Sequence, residues 1–303
     1  MDFELVADGL GFPEGPIAMA DGSIILVEIK SGNITRVWGD GKREVIAHTG
    51  GGPNGAALGP DGALYICNNG GFEWAEVMGV TLPGHAAADY AGGRIERVDI
   101  ATGEVTRLYD TVEGHPLKGP NDIVFDKHGN FYFTDHGKTY PRHRDYGGLF
   151  YASPDGKMVK ELDHGHTSPN GVGLSPDEKT VYMADTMTGR LWAFDLSAPG
   201  EIAPAMPPLN KGRVVATMPG LQYFDSLAVT AAGNVCVATI LNGGITTITP
   251  EGAHDHRAFP DLLTTNICFG GEDMQTAWIT LSGTGKLVKA RWEEPGLRLN
   301  YEG

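Results

Sequence analysis

Pro120-Asn121-Asp122-Ile123-Val124-Phe125-Asp126-Lys127-His128-Gly129-Asn130-Phe131-Tyr132-Phe133 is an apolar run, a polar turn and a second apolar run in immediate succession. Short apolar runs on either side of a glycine-containing turn spell two antiparallel strands. The same phrase recurs along the chain. Pro13-Glu14-Gly15, Pro53-Asn54-Gly55, Pro169-Asn170-Gly171, Phe224-Asp225-Ser226 and Thr265-Asn266-Ile267 each open a short apolar stretch, and seven residues beyond each central residue comes a turn, from Asp21-Gly22 to Asp273-Met274. A second apolar run follows every turn, among them Ile24-Ile25-Leu26, Leu64-Tyr65-Ile66 and Val235-Cys236-Val237. The six central residues lie 40, 67, 49, 55 and 41 positions apart, with further strand candidates such as Gly93 to Val98 and Arg190 to Phe194 between them.

Four strands in a repeat of about 40 to 50 residues is the size of a propeller blade. The expected fold is therefore all-β, a six-bladed β-propeller of four-stranded antiparallel blades around a central channel, with residues 1–303 as one domain. Helical periodicity is nearly absent, and only the segment Glu73 to Asp89 has room for a helical turn. The last blade needs an outer strand to hide its edge. Either Phe3-Glu4-Leu5-Val6 or Leu297-Arg298-Leu299-Asn300 has the pattern for it.

Composition narrows the function classes. A net charge of −15 repels phosphate backbones and argues against a nucleic-acid partner. No apolar run approaches membrane-spanning length, and the acidic start, with no basic residue before Lys30, lacks the features of a secretory signal. Cys67, Cys236 and Cys268 are odd in number and far apart within apolar stretches, which speaks against a disulfide framework, a zinc knuckle or a thiol nucleophile. These features fit a reduced, cytoplasmic, soluble protein without a membrane partner; they say nothing of oligomeric state.

If each central residue begins the innermost strand of a blade, Glu14, Asn54, Asn121, Asn170, Asp225 and Asn266 encircle one end of the channel. Two carboxylates, four amides and no basic group form an oxygen-only set. Such a set favours one hard divalent cation, calcium first, with magnesium or manganese as alternatives, over a metal that prefers thiols or imidazoles. Without a cation the two carboxylates would raise one another's pKa. A single Asn or Asp at a strand entrance more often serves the backbone of a turn. Glu14 departs from that habit, because Glu is a poor turn residue.

In a four-stranded meander the loop after the second strand returns to this same end. Two of these loops, Asn68 to Gly92 and Asp135 to Gly147, are long enough to be lids or pocket walls, and their Phe72, Trp74, Tyr140 and Tyr146 suit an organic ligand. His136 is the histidine best placed to touch a substrate, with His164 and His166 on the approach to Asn170. Gly50 to Gly55 matches a nucleotide-binding glycine pattern in form only, since a strand follows it, and there is no G-x-S-x-G elbow, H-E-x-x-H or Walker A sequence.

Taken in order, Phe12-Pro13-Glu14-Gly15-Pro16, Pro120-Asn121-Asp122, Ser168-Pro169-Asn170-Gly171 and Phe224-Asp225-Ser226 resemble the senescence-marker-protein/gluconolactonase family, also called regucalcin-like or luciferin-regenerating-enzyme-like. The resemblance spans nearly the whole chain. It implies a six-bladed propeller with one axial divalent metal, zinc among the possible ions, held by Glu14, Asn170 and Asp225, with Asn121 beside it. It also implies a lactonase acting on a small-molecule lactone. Asp225 is then the expected base and Glu14 its reserve, while Asn121, Asn54, His136, Trp74, Tyr140 and Tyr223 are expected substrate contacts. Gly119 stands where sugar-handling relatives carry an Arg, two residues before the equivalent of Asn121. The alternatives are a calcium-dependent phosphotriesterase-like hydrolase and a non-catalytic metal-binding propeller.

Overall fold

The computed structural model describes residues 2–205 and 211–302. Six antiparallel sheets succeed one another along the chain. Their innermost strands are Pro13–Ala18, Pro53–Leu58, Pro120–Phe125, Pro169–Leu174, Tyr223–Val229 and Thr264–Gly270. Each innermost strand packs against the next, and the sixth returns to the first, so the sheets close a six-bladed β-propeller. The described residues contain no α-helix; one short 3₁₀ turn spans Ser282–Thr284.

Burial explains the sequence pattern. Second strands such as Ile24–Glu28, Leu64–Asn68 and Phe131–Asp135 are buried at every residue, because a neighbouring blade covers each face. Continuous apolar runs, rather than alternation, are what such positions require. The core accordingly sits between blades. Tyr65, Phe125, Phe131, Phe133 and Phe150 form one such layer between the second and third blades. Eight residues after every central anchor the backbone turns left-handed: Gly22, Gly62, Gly129 and Gly233 supply this freely, whereas Glu178 (φ 57°) and Met274 (φ 55°) adopt it with a side chain.

Of the two candidate closing strands, the N-terminal one is used. Glu4–Ala7 pairs with Lys286–Arg291, and Val6 is buried. Leu297 to Asn300 instead crosses the far end of the channel. There Leu297 N–H donates to Val229 O at 2.8 Å, Asn300 Nδ2 donates to Phe125 O at 3.2 Å, and Leu297, Leu299 and Glu302 line a cavity of about 60 Å³.

The helical turn allowed within Glu73 to Asp89 does not form. Phe72–Val77 and Val80–Ala86 make a hairpin inserted between the second and third strands of blade two. Met78 (φ 53°) and Gly79 (φ 80°) are both left-handed, the geometry of a tight primed turn. The β-branched Val77, Val80 and Thr81 around that turn favour the extended pairing.

Candidate metal and substrate site

Every innermost strand loses register at its entrance. The irregularity falls between Pro53 and Ala56, Pro120 and Ile123, Pro169 and Val172, and Phe224 and Leu227, so Asn54, Asn121, Asn170 and Asp225 lie inside it. Glu14 immediately precedes its own break and Asn266 immediately follows one. A bulge re-aims a side chain that a regular strand would place between blades. Small residues beside the anchors let the strands converge: a Cβ on Gly55 would lie 2.5 Å from Asn121 O, and one on Gly171 2.8 Å from Asp225 O.

The anchors then divide by what their polar atoms already do. Asn266 is spent, because its Nδ2 donates to Glu14 Oε2 at 2.7 Å and its Oδ1 accepts Ile267 N–H at 2.7 Å. It holds Glu14 rather than a ligand. Gly15 N–H also donates to Glu14 Oε2, at 2.9 Å. Asn170 Nδ2 donates to Thr186 Oγ1 at 3.0 Å, while Ser226 Oγ donates to its Oδ1 at 3.4 Å. Asn121 Oδ1 is buried with no hydrogen-bond partner. A buried acceptor left alone costs free energy, so this oxygen marks a place for something positive or protic. Asn54 is also buried.

Burial raises the pKa of both Glu14 and Asp225, Asp225 well above the ordinary carboxylate range, and the charge of Glu14 adds to the rise at Asp225. A third carboxyl, which the sequence reading passed over, joins them. Asp122 is buried beside Asn121, accepts Ile123 N–H at 2.9 Å and Val172 N–H at 3.3 Å, and is pushed up to about 7 by burial and by Glu14. Its signal was the position after the anchor, which is Gly in blades one, two and four but carries a charge only here. Carboxyls that disfavour one another's ionisation, together with an orphaned amide oxygen, fit a hard dication. Glu14, Asn121, Asn170 and Asp225 are the residues that would hold it.

Above the ring, the inserted hairpin reaches from blade two across blades one and six. Trp74 packs on Phe12 (ring centroids 5.1 Å apart) and on Phe72 (5.9 Å), in a cluster with Ile29, Val80, Leu82, Ile240 and Leu263. Lys138 fastens it from blade three. Its buried ammonium donates to Gly71 O at 2.6 Å and to Asn69 Oδ1 at 3.3 Å, and lies 3.8 Å from the centre of the Phe72 ring. Burial draws Lys138 down to about 7. Ala86 N–H donates to Thr139 O at 3.0 Å, joining the two long loops directly.

The remaining sequence candidates are spread around the mouth. His136 Nδ1 is buried without a partner, and burial draws the imidazole down to about 3, so the ring is neutral. Tyr140 stacks on His143 at 4.5 Å, and Tyr223 opens the innermost strand of blade five, two residues before Asp225. His166 bonds Asp163 at 3.0 Å. A side chain at Gly119 has no room, since its Cβ would lie 2.6 Å from Gly137 O; Asp135 fixes this corner by accepting the N–H groups of Lys118, Gly119 and Gly137. The three cysteines are free, and burial pushes each thiol up, Cys236 to about 12, which removes them as nucleophiles.

Residues 12–283 match the family model described as the SMP-30/Gluconolactonase/LRE-like region. The chain belongs to this family. Among similar proteins, a gluconolactonase of Zymomonas mobilis is 27% identical over 312 residues, covering 92% of this chain and 78% of that one. Lactonase drp35 of Staphylococcus haemolyticus is 31% identical over 248 residues, covering 79% and 66%. The structure of a calcium-binding protein, regucalcin, from Agrobacterium tumefaciens shares the fold at TM-score 0.70 and 20% identity, covering 96% and 95%. No helix among the described residues is long and apolar enough to cross a membrane.

Proposed function

We propose that this protein is a metal-dependent lactonase whose reaction takes place at the lid-covered end of the channel. The observation that carries this reading is the convergence of Glu14, Asn170, Asp225 and the unpartnered Asn121 Oδ1 at one mouth. Family membership and the lactonase names of the relatives support the reaction class. A bound divalent cation, calcium first, would supply Lewis-acid polarisation of the lactone carbonyl.

The chain's own groups do the rest. Asp225, whose carboxyl a bound cation would keep ionised, accepts a proton from the attacking water as the water oxygen bonds to the carbonyl carbon. When the ring C–O bond breaks, the departing oxygen takes that proton back and a hydroxy acid leaves. Asn170 orients Asp225, and Asn266 holds Glu14 in place. Asn54, Asn121, His136, Tyr140 and Tyr223 are the proposed substrate contacts; Trp74 contributes by seating the lid. His136 is neutral and serves as a hydrogen-bonding group rather than as the base. The free thiols accord with a cytoplasmic setting.

The test is pH-stat hydrolysis of a lactone panel, from gluconolactone to dihydrocoumarin, by metal-stripped protein before and after adding calcium, manganese, magnesium or zinc. Hydrolysis that requires the metal is the expected result. Asp225→Asn and Glu14→Gln should each lower kcat/KM by roughly a hundredfold or more with the fold intact. Full activity in either variant, or turnover indifferent to metal, defeats the assignment.

A further inference from the structure

Five large apolar side chains are exposed in the connections at the lid end of the ring: Tyr146 (61%), Met187 (48%), Leu221 (74%), Leu241 (39%) and Leu262 (59%). They follow one another around the ring, from blade three to the junction of blades five and six. Backbone and side-chain contacts join the loops of Met187, Leu221, Leu241 and Leu262. Met218 N–H donates to Gly189 O at 2.9 Å, Asn242 Nδ2 to Gln222 Oε1 at 3.4 Å, and Leu241 N–H to Leu262 O at 2.7 Å. The connections 186–189, 218–222 and 241–243 contain no charged residue, in a chain whose net charge is −15.

Leu241 adds an independent sign. Its φ of 71° places a branched side chain in the left-handed region, a cost of roughly 1–2 kcal/mol that Gly would avoid. Residues held this way by the surrounding structure cluster at binding sites, and here the bond from Leu241 N–H to Leu262 O is part of what holds it. The lid sits over blades one, two and six and reaches Ile240 of blade five, so Leu241 and Leu262 flank its edge while Met187 and Leu221 lie beyond it. A molecule reaching Asp225 past that edge therefore meets this apolar arc.

We infer that Tyr146, Met187, Leu221, Leu241 and Leu262 form the seat for an apolar substituent, and that the preferred lactone carries an alkyl or aryl chain rather than a polyol. The identity of the ring as a lactone rests on the function proposed above; the apolar seat does not. The connections that carry Met187, Leu221 and Leu241 offer no cation to a carboxylate or phosphate tail; Arg142 and Arg144 stand only at the Tyr146 edge. A chain lying half covered on them gains affinity with each methylene.

The experiment uses γ-lactones that differ only in alkyl length, below their solubility limits, with metal-loaded protein and a Met187→Ser/Leu241→Ser double variant. Expected is a kcat/KM that rises about twofold per methylene in the parent protein. The double variant should lose about tenfold on the longest lactone and nothing on unsubstituted butyrolactone. Calorimetric binding of the matching alkyl γ-lactams gives a readout that needs no turnover. Hydrolysis without chain-length dependence overturns the apolar seat and leaves the lactonase reading standing. Lactam affinity that climbs with chain length and falls in the variant, in protein that hydrolyses no lactone, upholds the seat and overturns the lactonase reading. A parent protein that is dimeric and becomes monomeric in the variant, with flat chain-length dependence, assigns the arc to a second copy and overturns the proposal.

Discussion

Gly171 shows how closely the ring depends on single residues. It follows Asn170, and a Cβ there would meet Leu227 N at 2.6 Å and Asp225 O at 2.8 Å, both backbone atoms of the next blade. Neither can swing aside as a long side chain would. Gly171→Ala should cost about 1–3 kcal/mol, read as a lower urea midpoint, and should push Asp225 from its place. Activity should fall further than stability alone explains. An unchanged melt would mean that the strands are not this close. Asp122 and Asn266 teach a related lesson about reading sequences. Both stand at ring positions, yet only the cross-blade neighbours reveal that Asn266 has no free atom and that Asp122 faces two other carboxyls. Residue type announced the ring; the use of each residue depended on the strand beside it.

The inserted hairpin behaves as an element held from outside. Its own two strands carry mostly exposed or half-buried residues, and its anchorage comes from Trp74 on Phe12 and from Lys138 beneath Phe72. Lys138→Met should leave the propeller folded while hydrogen exchange at the amides of 72–86 becomes faster. It should also change the pH dependence of stability. The ammonium is at about 7 when folded, against an ordinary value of 10.5. Below pH 7 both states hold the proton and the cost of burying the charge is fully present. Between 7 and 10.5 the unfolded chain retains a proton that the folded protein has lost, so stability rises with pH. Urea midpoints measured from pH 7 to 9.5 should climb more steeply in the parent protein than in Lys138→Met. Parallel curves would show that Lys138 keeps its ordinary affinity for protons. This hairpin was the least legible element in the sequence, because it breaks the repeat and its alternation is short. The six blade hairpins were legible because each repeats one bulge and one turn at a fixed offset.

Across the whole molecule the ring is closed in two ways, one built into the chain and one proposed. The strand Glu4–Ala7 covers the edge of Lys286–Arg291 and buries Val6. The sequence offered two strands for this place with similar patterning, and only the path of the chain across the far end decided between them. The second closure is the proposed cation, which would join Glu14 of blade one to Asn121, Asn170 and Asp225 of blades three, four and five. Removing residues 2–7 should therefore lower the melting temperature of metal-free protein and expose a pairing edge prone to aggregation. Calcium at about a hundred times its Kd should return about 2.7 kcal/mol, because a ligand that binds only the folded state stabilises by mass action. The same return is expected in the intact chain. In the truncated protein carrying Glu14→Gln it should vanish, while the loss caused by truncation stays. A calcium shift that survives Glu14→Gln would place the ion elsewhere, and truncation without any loss of stability would show that the ring holds without its N-terminal strand.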